Sequence, residues 1–93
     1  MHMELDDYVG QPCNSGLAFE FTPKKKTSIV LQDCARKLAA SGARIDINTK
    51  YVLACSFKGT DISVFKSGKI LVKNTADKEQ AKEKAEAVLQ ALE

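Results

Sequence analysis

The sequence predicts an α+β domain of two layers, in which two helices cover one face of a curved, antiparallel, five-stranded sheet. Three observations support this fold class: short apolar runs that alternate with polar residues, two amphipathic stretches with helical spacing, and tight turns between consecutive strands. The predicted order is strand, helix, four strands, helix. Both apolar helix stripes must therefore be buried against the same side of the sheet, and the other side is expected to stay open.

The first predicted strand covers residues 17–22, where apolar and polar side chains alternate. Its inward residues are Leu17, Phe19 and Phe21. Pro23 ends the strand, and a lysine triplet leads into the first helix. A second strand follows that helix at residues 43–48, with Ile45 and Ile47 inward, and a third covers residues 51–58.

Two segments have the apolar spacing of helices. The first runs over residues 28–40, where Thr27 or Ser28 offers a capping oxygen and Gly42 ends the helix. The second runs over residues 77–92, with a capping oxygen on Asn74, Thr75 or Asp77. The buried stripes are predicted to consist of Leu31, Cys34, Ala35 and Leu38 in the first helix and Ala81, Ala85, Val88, Leu89 and Leu92 in the second.

The most informative segment is the hairpin at residues 61–73. Two strand-like runs flank a Lys-Ser-Gly turn, in which Gly68 can adopt a positive φ. One face of this hairpin, with Ile62, Val64, Ile70 and Val72, belongs in the core. The other face carries Ser63, Phe65, Leu71 and Lys73. Because Phe65 and Leu71 are apolar on a face that is expected to be open, this surface is predicted to bind a partner.

Composition limits the classes of function. The chain has 93 residues, a net charge of +2 and no apolar run long enough to cross a bilayer. We expect a flexible acidic tail at residues 1–16, a single domain at residues 17–93 and, without a signal peptide, a cytoplasmic location. Cys13 lies in a turn-rich stretch where its side chain can be exposed, and its role does not follow from the sequence. Three cysteines without a C-x-x-C pair and one histidine, His2, in the tail predict neither a cofactor, a metal nor an enzyme.

The hairpin Ile62-Ser63-Val64-Phe65-Lys66-Ser67-Gly68-Lys69-Ile70, together with the order of elements, resembles one lobe of the TATA-box-binding protein. The hairpin is also similar to that of the N-terminal domain of ribonuclease HIII. A related hairpin before an alanine-rich helix occurs in small domains of sulfur-transfer activating enzymes. The first resemblance implies that Phe65 occupies the position of an aromatic wedge for DNA, with Leu71 and Lys73 beside it.

Two functions follow as expectations. The first is a non-catalytic module that binds nucleic acid with the open face of its sheet. The second is a protein-interaction or homodimerisation module, accessory to a sulfur-transfer or activating enzyme. Glu20 and Asp46, predicted on the same face, oppose phosphate binding. The candidate binding residues are Phe65, Ser63, Leu71, Lys73, Lys66, Lys69, Lys58 and Tyr51.

Overall fold

The computed structural model describes residues 8–12, 18–73 and 77–92. They form β1 (Tyr8–Pro12), β2 (Ala18–Pro23), α1 (Leu31–Ala40), β3 (Arg44–Asn48), β4 (Val52–Phe57), β5 (Thr60–Phe65), β6 (Ile70–Lys73) and α2 (Lys78–Ala91). The predicted α+β class is confirmed. No helix within these residues is long and apolar enough to cross a membrane.

The sheet contains six antiparallel strands in the order β1-β2-β6-β5-β4-β3. The expected number of five strands is wrong, because β1 is a sixth strand. It lies within residues 1–16, which the sequence predicted to be a flexible tail. Its sequence, YVGQP, has too few apolar residues to show the alternation of a strand. β1 is held instead by its position beside β2, where Gly10 pairs with Phe21, and by a hydrogen bond that the Tyr8 hydroxyl donates to the Gly68 carbonyl at 3.0 Å.

The helices cover one side of the sheet and bury its apolar side chains. α1 packs on β3 and β4, while α2 packs on β6 and β2. The predicted inward residues of the hairpin are buried, as are both predicted helix stripes. The core consists mainly of Phe19, Phe21, Leu31, Leu38, Leu53, Cys55, Phe57, Ile62, Val64, Ile70, Val72, Val88 and Leu89.

The two helices begin differently. α2 is capped as expected, since Asp77 Oδ1 accepts a hydrogen bond from the Glu79 amide at 2.9 Å. α1 begins at Leu31, three residues later than predicted, and its N-cap residue Val30 makes no side-chain hydrogen bond. The predicted cap is wrong because the Thr27 hydroxyl donates to the Lys25 carbonyl within the preceding loop.

A bulge interrupts the pairing of β3 with β4 between Ile45 and Ile47. Ile45 stays opposite Cys55 on the helix side and packs against the core. The extra residue, Asp46, shifts the alternation, so Ile47 is half exposed rather than inward as predicted.

Candidate functional site

The side of the sheet away from the helices, here called the open face, consists of three rows of side chains. The strand register places the central row across all six strands: Gln11, Glu20, Leu71, Ser63, Ala54 and Ile47. One flanking row contains Val9, Thr22, Lys69, Phe65 and Val52. The other contains Ala18, Lys73, Asp61, Ser56 and Arg44.

The centre of the open face is tightly filled. Ser63 is only 4% exposed, although no helix covers it, and its cross-strand neighbours are Leu71 and Ala54. Leu71 and Phe65 are half-buried. At the margins, Val9 and Ile47 are each 50% exposed. Val9 and Ile47 make the open face more apolar than the hairpin residues alone predicted. The sequence pattern did not place these two side chains there, because β1 was not predicted and the bulge reverses the alternation in β3.

The charges of the open face balance each other. Lys69 Nζ lies 3.2 Å from Glu20 Oε1, and Arg44 Nε lies 3.0 Å from Asp46 Oδ1. The second pair raises the pKa of Arg44. The three rows contain three cations, Arg44, Lys69 and Lys73, and two carboxylates, Glu20 and Asp61, and the bulge residue Asp46 adds a third carboxylate through its pair with Arg44. Such a surface exerts little net attraction on a polyanion.

Phe65 is partly covered by its own neighbour. Lys69 Nζ lies 4.6 Å from the centroid of the Phe65 ring, a cation–π distance, while also pairing with Glu20. An incoming base would have to displace this ammonium group from both partners. The arrangement therefore does not favour Phe65 as a free wedge.

Two further predicted residues, Tyr51 and Lys66, lie at one end of the sheet. We define the loop end as the three connections that meet there: residues 24–30, residues 49–51 and residues 66–69. Backbone hydrogen bonds join them, from Ile29 N to Lys66 O at 2.9 Å and from Lys66 N to Tyr51 O at 3.1 Å. The loop end therefore brings Lys66 and Tyr51 beside Lys50 and the lysine triplet at residues 24–26.

Lys58 does not belong to this group. It lies in the β4–β5 turn, at the other end of β4 from the loop end. The five residue steps from Val52 to Phe57 correspond to about 17 Å. There Lys58 has a φ of 52° and Gly59 a φ of 77°, as a two-residue hairpin turn requires. The Lys58 carbonyl accepts a hydrogen bond from Lys84 Nζ at 2.9 Å, and the Lys58 ammonium group lies 5.6 Å from the centroid of the Phe57 ring. Its surroundings indicate a contact between this turn and α2.

The two described cysteines are core residues. Burial raises the pKa of Cys34 and raises that of Cys55 to about 11, so both thiols are protonated at neutral pH. Cys13 lies outside the described residues. Within the described part of the chain, no group of three or more His, Cys, Asp or Glu residues could hold a metal ion.

Comparisons of the chain with protein-family models, curated proteins and solved structures gave no match.

Proposed function

We propose that this chain is a protein-interaction module that associates with a second copy of itself through the open face. The observation that carries this proposal is the combination of exposed apolar side chains with balanced charges on one side of the sheet. The nucleic-acid alternative for the same face is less favoured, because Glu20, Asp46 and Asp61 oppose phosphate groups there. The TATA-box-binding resemblance remains a prediction about the fold.

The register suggests how two copies fit together. A two-fold axis parallel to the strands, between β5 and β6, sets β5 of one copy over β6 of the other. Lys73 of each copy then faces Asp61 of the other, and Lys69 faces Phe65. Leu71 comes to lie over Ser63, which is only 4% exposed. The open face is thus complementary to itself in charge, through two Lys73–Asp61 contacts related by the two-fold axis.

The size of the open face predicts a weak dimer. Six strands spaced about 4.8 Å apart and roughly 17 Å long give a flat footprint on the order of 400 Å². Stable complexes bury about 800 Å² of accessible surface on each partner, which a footprint of this size reaches only with close packing. We therefore expect a reversible dimer with a dissociation constant that is micromolar or weaker.

Sedimentation equilibrium from micromolar to millimolar protein concentration tests the proposal. Leu71→Glu places a charge at the centre of the open face and should weaken the dimer at least about tenfold. Val30→Glu is the matched control, since it makes the same kind of change at an exposed apolar residue away from this face. Equal association of wild type and Leu71→Glu would contradict the proposal, and would instead fit a saddle in which two lobes lie side by side.

A mixing experiment tests the predicted orientation. Lys73→Asp and Asp61→Lys each create like charges across the proposed interface, so each variant alone should associate poorly. Mixed together, the two variants restore an attractive pair at both contacts and should form a heterodimer. If the mixture associates no better than either variant alone, the orientation is wrong.

A further inference from the structure

We propose that the loop end is a binding site for single-stranded nucleic acid, separate from the open face. Its three connections carry five lysines that form no ion pair with any described residue: Lys24, Lys25, Lys26, Lys50 and Lys66. The described residues of these connections contain no carboxylate. The loop end therefore carries a concentrated positive charge, whereas the charges of the open face balance each other.

The loop end is organised in advance of binding. Lys66 uses its backbone carbonyl to hold residues 24–30, through Ile29, and its backbone amide to hold Tyr51. Thr49 closes the neighbouring turn, because its hydroxyl oxygen accepts hydrogen bonds from the Val52 amide at 3.0 Å and the Tyr51 amide at 3.3 Å. The lysines and the tyrosine thus project from a fixed backbone, which lowers the entropy lost on binding.

Tyr51 distinguishes this surface from a simple patch of lysines. Tyr51 is 67% exposed, so its ring is accessible for stacking on an unpaired base. Lys50 precedes Tyr51 in the sequence, and the backbone amide of Lys66 donates a hydrogen bond to the Tyr51 carbonyl. A stacking ring between cations is the arrangement by which proteins bind unpaired bases and the phosphates that link them.

Two depressions at the loop end, one lined in part by Lys66 and the other by Ser67, offer room for such a strand. One, of about 460 Å³, is lined by residues that include Ile29, Thr49, Lys50 and Lys66. The other, of about 280 Å³, is lined by Thr22, Pro23, the lysine triplet, Thr27 and Ser67. The lysine side chains of both depressions, and the Thr22 and Ser67 hydroxyls of the second, can donate to phosphate oxygens. A duplex, whose bases are already stacked, cannot present a free base to Tyr51, which favours a single strand.

Fluorescence anisotropy with a labelled oligodeoxythymidine of about 12 nucleotides, matched to the usual site size, tests the proposal on the full chain. If all five lysines neutralise phosphates, the slope of log affinity against log salt should reach at most about −3.5. Tyr51→Ala should weaken binding about tenfold, whereas Tyr51→Phe keeps the ring and should bind as the wild type does. Absence of binding at low salt would overturn the proposal.

Two further comparisons separate nucleic acid from other polyanions. Lys66→Gln should make the salt slope shallower by about 0.7, whereas Lys82→Gln, an exposed position on α2, should leave it unchanged. Heparin should bind without dependence on Tyr51. If oligodeoxythymidine also binds without that dependence, the loop end is a general polyanion surface and the proposal is wrong. Leu71→Glu should not alter nucleic-acid affinity, since it changes the other surface.

Discussion

Gly10 shows how a single residue without a side chain can fasten a strand to a sheet. It lies opposite Phe21, and the Phe21 ring fills the space above it. A Cβ atom at this position would lie 2.7 Å from Phe21 Cε1 and 2.9 Å from Phe21 Cδ1, closer than real Cβ contacts allow. Because Phe21 is 1% exposed, its ring has no room to move away. The packing between these two residues therefore depends on glycine.

We expect Gly10→Ala to lower the free energy of unfolding by about 1–3 kcal/mol, the usual cost of forcing extra atoms into a filled core. Urea denaturation of the variant measures this cost. Gln11→Ala is a suitable control, because the Gln11 side chain is exposed and its loss should change stability by less than about 0.5 kcal/mol. A neutral or stabilising Gly10→Ala would show that β1 does not pack against Phe21, since the alanine would then only restrict the unfolded chain.

Residue patterns predicted the inner face of the hairpin, because alternation in a paired strand leaves only two choices of face. They also predicted that Phe65 and Leu71 lie on the open face. They failed at Ile47, since the bulge at Asp46 inserts one residue and reverses the alternation. Lys66 and Tyr51 were predicted as binding residues, but their proximity to Lys50 and the lysine triplet was not. These segments are distant in sequence, and the backbone hydrogen bonds of Lys66 with Ile29 and Tyr51 join them in the folded chain.

At the scale of elements, the two helices show which boundaries a sequence can reveal. The start of α2 depends on a local contact between Asp77 and Glu79, so the capping pattern predicts it. The start of α1 depends on Ile29, whose amide is bound to Lys66 in a distant turn. That contact keeps the residues before Leu31 extended, and no local pattern encodes it.

Asp77→Ala should destabilise the domain by about 1 kcal/mol, because the first turn of α2 loses its side-chain acceptor. Asp77→Asn retains an oxygen that can accept from the Glu79 amide and should cost less. Thermal or urea unfolding of both variants provides the comparison. If the two variants lose the same stability, the negative charge rather than the hydrogen bond is responsible, through its interaction with the helix dipole.

At the scale of the whole molecule, the sequence predicted the class and the two layers, because amphipathic helices and alternating strands have few ways to bury their apolar sides. It underestimated the sheet by one strand. β1 has little apolar surface of its own, and its place is set by Gly10 under Phe21 and by the Tyr8–Gly68 hydrogen bond. The position of β1 therefore depends on contacts that form only in the folded chain.

A molecule with one open face should stop associating at the dimer. In a two-fold contact each copy covers the same surface of the other, so no such surface remains for a third copy. Light scattering after size-exclusion chromatography at increasing protein concentration should therefore approach twice the monomer mass and remain there. A mass that continues to rise would indicate head-to-tail contacts instead.

The bulge in β3 also hinders the addition of further strands at the edge of the sheet. β3 is an outer strand, mostly exposed, and its unpaired backbone groups are a template for a strand from another chain. The kink at Asp46 and the charged Arg44–Asp46 pair disturb that template. On the opposite border, β1 is short and ends at Pro12, which has no N–H to donate. Both borders therefore discourage fibril formation, and the molecule can keep a broad uncovered sheet without becoming prone to aggregation.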